Sequence, residues 1–344
     1  MSKLWKLIII SLPIWSCNND IKIAAPWKET IVIYGLLDPA ASINYIRIQK
    51  AYLDPEGNAF QFVDQSDSIY PKELSVKLYI KKNGTVLDTI FPQLVNGDDI
   101  GIKKDTGLFS NTPNYLYKID KKIFDSRLIT GGSDDYEYEL KVKNIKTGYS
   151  CSAKTNTTGL LISSAPVDES STSITINDKP TSFLSVVYSE GRNVKTYDLN
   201  IRFWYEEIQK SDTSIKSLKY INWEIFKNRP TKSLRGYETQ FFQIPGSYFY
   251  EILKASVVPN GKIIRKAKYC DVEYFGAGED LYTFIQVNKP SIGIVQKRPE
   301  YTNVSNGLGI FSSRYITSFK NMPLSAEMKN TIKNSVYTQG LNFQ

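Results

Sequence analysis

Any chemistry in this chain must be done without histidine, because none of its 344 residues is one. A Ser-His-Asp triad or a Cys-His dyad is therefore out of reach, and so is a zinc site built on imidazole. Three cysteines also fall one short of an all-cysteine zinc site. General acid–base work falls to Asp, Glu, Lys or Tyr. The clearest chemistry belongs to Cys17. Lys3 and Lys6 flank an N-terminal basic stretch, and the apolar run Leu7–Trp15 follows. That run suits a signal-peptide core and is well short of the roughly 18 residues a spanning helix needs. Small Ser16 leaves the backbone before Cys17 open to a peptidase. Ile14-Trp15-Ser16-Cys17 thus reads as a lipobox whose thiol is acylated, with bulky Trp15 departing from the usual middle position. An ordinary secretory signal followed by a chance cysteine is the plainer alternative. Several acyl chains hold a protein stably at a membrane where one does not.

Other stretches carry possible ligands. Asp54, Glu56 and Asn58 place oxygens at alternate positions, as a calcium loop does. Ala59 then stands where an EF-hand needs glycine, and Gln65 where it needs a bidentate acid, so the metal reading is weak beside a solvated loop. Asn96-Gly97-Asp98-Asp99 reads as a turn. Gly276-Ala277-Gly278 leads into Glu279-Asp280, whose charges oppose phosphate and suit the positive end of a helix. The most unusual composition is Arg298–Asn303 with Asn306–Arg314. Its glycines allow close backbone approach. Arg298, Glu300, Tyr301, Asn303, Asn306 and Arg314 supply polar reach for a ligand or a partner barrel. The competing reading is a turn-rich segment packed across a sheet, with Leu308, Ile310 and Phe311 in the core. Glu206-Glu207 cannot flank one glycosidic bond, because adjacent strand residues face opposite ways. Tyr220, Trp223 and Phe226 suggest a sugar platform, but alternation sets Trp223 opposite the other two.

The elements that must position these residues read mainly as strands. Ile31–Leu37 is a compact apolar run. Tyr45–Tyr52 alternates, as do Val76, Leu78 and Ile80; Asn83-Gly84 then suits a type I′ hairpin into Thr85–Ile90. Residues 136–143 alternate Tyr136, Tyr138, Leu140 and Val142 with charged neighbours, and Tyr149–Lys154 sets Cys151 on the apolar side. Short strands between turns predict an antiparallel, immunoglobulin-like β-sandwich. Residues 155–182 turn rich in Ser, Thr, Asn and Pro, which puts a boundary near residue 158. Beyond it, Tyr197–Tyr205 alternates strongly and Ile221, Trp223 and Ile225 repeat the pattern. Three short helices are expected: one capped by Ser247 and bearing Phe249, Ile252 and Leu253, one after Gly278 bearing Leu281, Phe284 and Ile285, and Ala326–Asn334 capped by Ser325. The expected organisation is a signal peptide (1–16), a tether (17–27), a β-sandwich (28–158) and a second β-rich domain with a few helices (159–344).

Composition narrows the partners. Lys and Arg number 43 against 35 Asp and Glu; loss of residues 1–16 lowers the surplus of +8 by two. The surplus is spread out, with no basic stripe beside a nucleic-acid motif, so no nucleic-acid partner is expected. Mild basicity suits an anionic membrane surface. Cys151 and Cys270 fall in different halves and are expected as buried free thiols. No Rossmann or P-loop pattern and no cofactor motif occurs.

Taken together, the lipobox, "IVIYGLLDP", "NYIRIQKAYLDPEGNA", "SNTPNYLYKI" and "RPEYTNVSNGLGIFSSRY" resemble lipoproteins of the Bacteroidota. The group carries a domain of unknown function and is often encoded beside TonB-dependent outer-membrane receptors. The resemblance covers most of the chain after Cys17. It implies an outer-membrane lipoprotein, on the periplasmic or cell-surface face, whose first half is a β-sandwich. It transfers no catalytic residue, only the lipid attachment at Cys17. The resulting expectation is a non-enzymatic binding or accessory protein at a TonB-dependent receptor barrel. The alternatives are an adhesin or glycan binder, with a glycan or peptide ligand, and an Asp/Glu-based hydrolase.

Overall fold

The computed structural model describes residues 29–51, 69–105, 107, 112–123, 136–289 and 300–344. The chain is mainly β. Sixteen strands form an eight-stranded, a five-stranded and a three-stranded sheet among the described residues. The signal, the tether, Cys17, the Asp54–Asn58 loop and Arg298 lie outside the described residues. Among those residues, no helix is long and apolar enough to cross a membrane.

The first core is a sandwich. One layer contains β1 (Ile31–Leu37), β2 (Asn44–Lys50), β5 (Gln93–Asn96) and β6 (Tyr115–Ile119). The facing sheet runs β15-β8-β7-β3-β4, with β3 at Leu74–Lys82, β4 at Thr85–Ile90, β7 at Tyr136–Asn144, β8 at Ser150–Asn156 and β15 at Val304–Ser305. Ile33, Ile46, Leu78, Leu140 and Cys151 close the space between the layers. The inward-facing residues of β1, β2, β3 and β7 are mainly apolar, so one face of each sheet can be dried against the other. Asn83 and Gly84 both have positive φ, 48° and 83°, as a type I′ turn requires.

The second core lies beneath β11 (Thr196–Gln209), β12 (Lys216–Pro230) and β14 (Ile263–Ala277). It is closed by the small sheet of β9 (Ile162–Ala165), β10 (Phe183–Ser189) and β13 (Thr239–Pro245). Two helices add to it, α1 (Ser247–Ser256) through Phe249, Tyr250 and Leu253, and α3 (Ala326–Asn334) through Met328 and Ile332. Ser325 caps α3 as expected, its hydroxyl accepting from Met328 N at 3.1 Å. Ser247 does not cap α1. Gly246 holds the N-cap position, where a Cβ would lie 2.0 Å from the Asn177 carbonyl oxygen, so Ser247 becomes the first helical residue. Helix α2 (Glu279–Val287) follows Gly278 as expected, but its apolar face is only half covered and none of its residues is fully buried.

One strand joins the two cores. β16 (Leu308–Pro323) pairs in parallel with β1 through residues 308–313, then antiparallel with β14 from Arg314 onward. The eight-stranded order β12-β11-β14-β16-β1-β2-β6-β5 follows, and it crosses from one half of the chain to the other. Beside that crossing, Thr158 N donates to Ser313 Oγ at 2.9 Å, and Ser313 Oγ donates to the Leu37 carbonyl at 2.9 Å.

Candidate functional site

The 300–314 segment is where sequence composition points most strongly, and its polar side chains mostly hold the fold. Asn303 Oδ1 accepts from Phe311 N at 3.0 Å, and its Nδ2 donates to Phe311 O at 2.7 Å. Tyr301 OH donates to Asp280 Oδ1 at 2.5 Å, tying the segment to α2; burial, then this bond, raises the phenol's pKa. Asn306 sits at φ 54° and donates from Nδ2 to Ser150 O at 2.7 Å. Ile310 and Phe311 are buried as the packing reading expects, whereas Leu308 is 41% exposed. Glu300 and Arg314 are exposed. Arg314 lies at the β14 edge, where its charge acts on Asp38; burial is the larger influence there and raises the Asp38 carboxyl. These residues do not converge on one ligand. They are placed by separate elements, and Asn306 borders a concavity.

That concavity is a groove of about 440 Å³ on the outer face of the five-stranded sheet. Register builds it. Lys77 of β3 is paired with Lys141 of β7, Lys141 with Ser152 of β8, and Ser152 with Ser305 of β15. One row along, Ser75 is paired with Lys143 and Lys143 with Ser150. In the row beyond Lys77, Tyr79 is paired with Glu139, which carries the negative charge at the rim. Lys81 Nζ lies 2.5 Å from Glu139 Oε2, and Lys141 Nζ lies 3.8 Å from Oε1. Burial acts to raise the Glu139 carboxyl, but the Lys81 bond and the charges of Lys141, Lys81 and Lys154 outweigh it and hold the group below its usual value. A second hollow of about 520 Å³ is walled partly by Tyr70, Tyr115 and Tyr117, and burial pushes the Tyr117 phenol up to about 12.

An aromatic row lies on the outer face of the other half. Trp204 is paired with Tyr220 on one side and Tyr269 on the other, with ring centroids 4.9 and 5.9 Å away. The next row is Asn222, Arg202 and Asp271. Trp204 Nε1 donates to Asp271 Oδ2 at 2.9 Å, Arg202 Nε donates to Asn222 Oδ1 at 2.9 Å, and the Arg202 guanidinium lies 4.8 Å from the Tyr220 ring centre. Of the three aromatics proposed from sequence, only Tyr220 belongs here. Trp223 is buried as alternation predicts. Phe226 is not its opposite: a register shift beside Leu199 turns it onto the core, where it stacks on Tyr188. Alternation in β11 marks Arg202 and Trp204 as outward; their assembly with Tyr269 needs the strand order.

The remaining strong electrostatic feature is structural. Arg265, 3% exposed, donates to Glu207 Oε1 from Nε and Nη2 at 2.9 and 2.8 Å, and to the carbonyls of Leu341 and Val258. It fastens the C-terminal tail across β14. Among the described residues no group of three or more metal-ligating side chains occurs. No family model matches this chain, and no curated protein matches it either.

Proposed function

We propose that this chain is an outer-membrane lipoprotein, attached through Cys17 in the manner of the Bacteroidota group it resembles. In this reading it acts by binding, as an accessory to a TonB-dependent receptor. The anchor confines two β-rich cores to a layer beside the barrel, raising their local concentration without any new contact. The observation that carries the binding reading is the groove beside Asn306, a concave surface lined by lysines, serines and the apolar parts of Tyr79, Val142 and Cys151 on paired strands. The immunoglobulin-like description of the first sandwich belongs to the same proposal and rests on its two facing layers, antiparallel except where β1 meets β16. Fold alone does not choose a partner. A mild-detergent pull-down of the full chain from its native envelope tests the reading, with Cys17→Ala beside it. Recovery of a receptor barrel with the wild type and its loss with the variant is the expected result. A lipidated chain that emerges alone overturns the receptor association.

A second reading has its own support. The Trp204–Tyr220–Tyr269 row, bordered by Asn222, Arg202 and Asp271, offers apolar ring faces beside polar groups, as glycan-binding surfaces do. Glycan-array binding that is lost in Trp204→Ala favours it. An empty array with a folded wild type removes it.

A further inference from the structure

We infer that the groove on the five-stranded sheet binds a phosphate-class oxyanion. This rests on reading the groove as a binding surface and goes on to name its ligand. Lys77 and Lys141 are direct cross-strand partners in an antiparallel pair. Side chains so placed stand about 5 Å apart at Cβ, and like charges there repel. Lys143 follows on the same face of β7, about 7 Å along the strand. Three lysine side chains therefore line one small concavity, the Lys141 ammonium lying 5.3 Å from the Tyr79 ring centre. Glu139 answers only part of this charge, because its shorter ion pair is with Lys81, outside the groove. Lys77 reaches toward the Phe91 ring at 5.9 Å, and neither Lys77 nor Lys143 has an ion pair among the described residues.

The rest of the lining mixes hydroxyl donors with the apolar surface of Tyr79, Val142 and Cys151. The hydroxyls of Ser75, Ser150, Ser152 and Ser305 form no hydrogen bond within the chain among the described residues. Serine hydroxyls with lysine point charges suit an acceptor that has several oxygens and more than one negative charge. A lone carboxylate brings a single charge and two oxygens. A phosphomonoester or pyrophosphate brings more charge and more oxygens, and can engage more than one ammonium and several hydroxyls at once. Its source is either a free phosphate compound or the headgroup of a membrane lipid near the anchor.

The test uses the full chain carrying Cys17→Ala, with inorganic pyrophosphate and, separately, vesicles of phosphatidic acid, a phosphomonoester lipid, against phosphatidylcholine vesicles. Binding to pyrophosphate identifies a soluble phosphate ligand; binding only to phosphatidic acid identifies a headgroup. In either case Lys77→Gln/Lys143→Gln is expected to weaken binding at least tenfold, and Ser152→Ala to weaken it less. Lys216→Gln/Lys219→Gln removes the same charge from β12 and is expected to leave binding unchanged. Equal loss in both double variants overturns the site, because a diffuse basic surface then explains the binding. Failure to bind either probe also overturns it. The envelope pull-down separates the two readings: a recovered receptor without phosphate binding removes this inference alone, and phosphate binding without a receptor removes the accessory role alone.

Discussion

Asn303 and Phe311 are joined by two hydrogen bonds through one side chain: the Asn303 amide accepts from Phe311 N at 3.0 Å and donates to Phe311 O at 2.7 Å. A side chain thereby does the work of a strand partner, and it locks β15 against the start of β16. Asn303→Ala leaves both backbone groups of a fully buried residue without that partner. The expected cost is about 1–3 kcal/mol, read as a lower urea midpoint with an unchanged slope. Asn303→Asp keeps the acceptor and loses the donor, so it should fall between wild type and alanine.

Gly309 allows the parallel seam between β1 and β16. Its φ is +96°, and a Cβ there would lie 2.0 Å from the carbonyl oxygen of Ile33, its register partner. Backbone cannot yield there as a flexible side chain can. Gly309→Ala should cost on the order of 4 kcal/mol or abolish folding. Half-exposed Leu308→Ala next to it should cost less than about 1 kcal/mol. Thermal melts of the two variants make the comparison, and a mild Gly309→Ala would refute the steric account of this seam.

Glu139 makes stability depend on acid. Its folded pKa is below the unfolded one, so between the two values the unfolded chain binds more protons and stability rises with pH. Its contribution is present in full above the unfolded carboxylate range, near 4.5, and is lost as pH falls through the folded value. Glu139→Gln should therefore be less stable than wild type at neutral pH. The gap should close below that range. A gap independent of pH between 3 and 7 would show that the carboxylate's charge plays no part.

Cys151 and Cys270 are both buried free thiols, one in each core. Burial pushes Cys151 up to about 11, and burial followed by the charge of Asp271 raises Cys270. The thiolate is the reactive form. In the Cys17→Ala chain, neither should react with an aromatic disulfide reagent at neutral pH, and both should react once denaturant opens the cores. Rapid labelling of the folded chain would contradict the burial of either thiol.

How much was legible follows the range of the forces involved. The apolar run Ile31–Leu37, the alternation of residues 136–143 and Tyr197–Tyr205, the Asn83-Gly84 turn and the Ser325 cap depend on neighbours a few residues away. The local order of residues was enough to find them. The polar residues of 300–314 were visible as unusual, but their roles were not. Asn303 and Tyr301 act on Phe311 and Asp280, and a sequence does not state which donor meets which acceptor after folding.

The sequence by itself determined a mainly β chain, the buried faces of its strands and the absence of imidazole chemistry. Only the tertiary structure decided that β16 would join β1 to β14, that Lys77, Lys141 and four serines would share a groove, and that Trp204 would meet Tyr220 and Tyr269. Alternation says which face a side chain takes. It does not say which strand lies beside it, because strand order is set by the closure of loops and the burial of whole sheet faces, and those energies belong to the assembled chain.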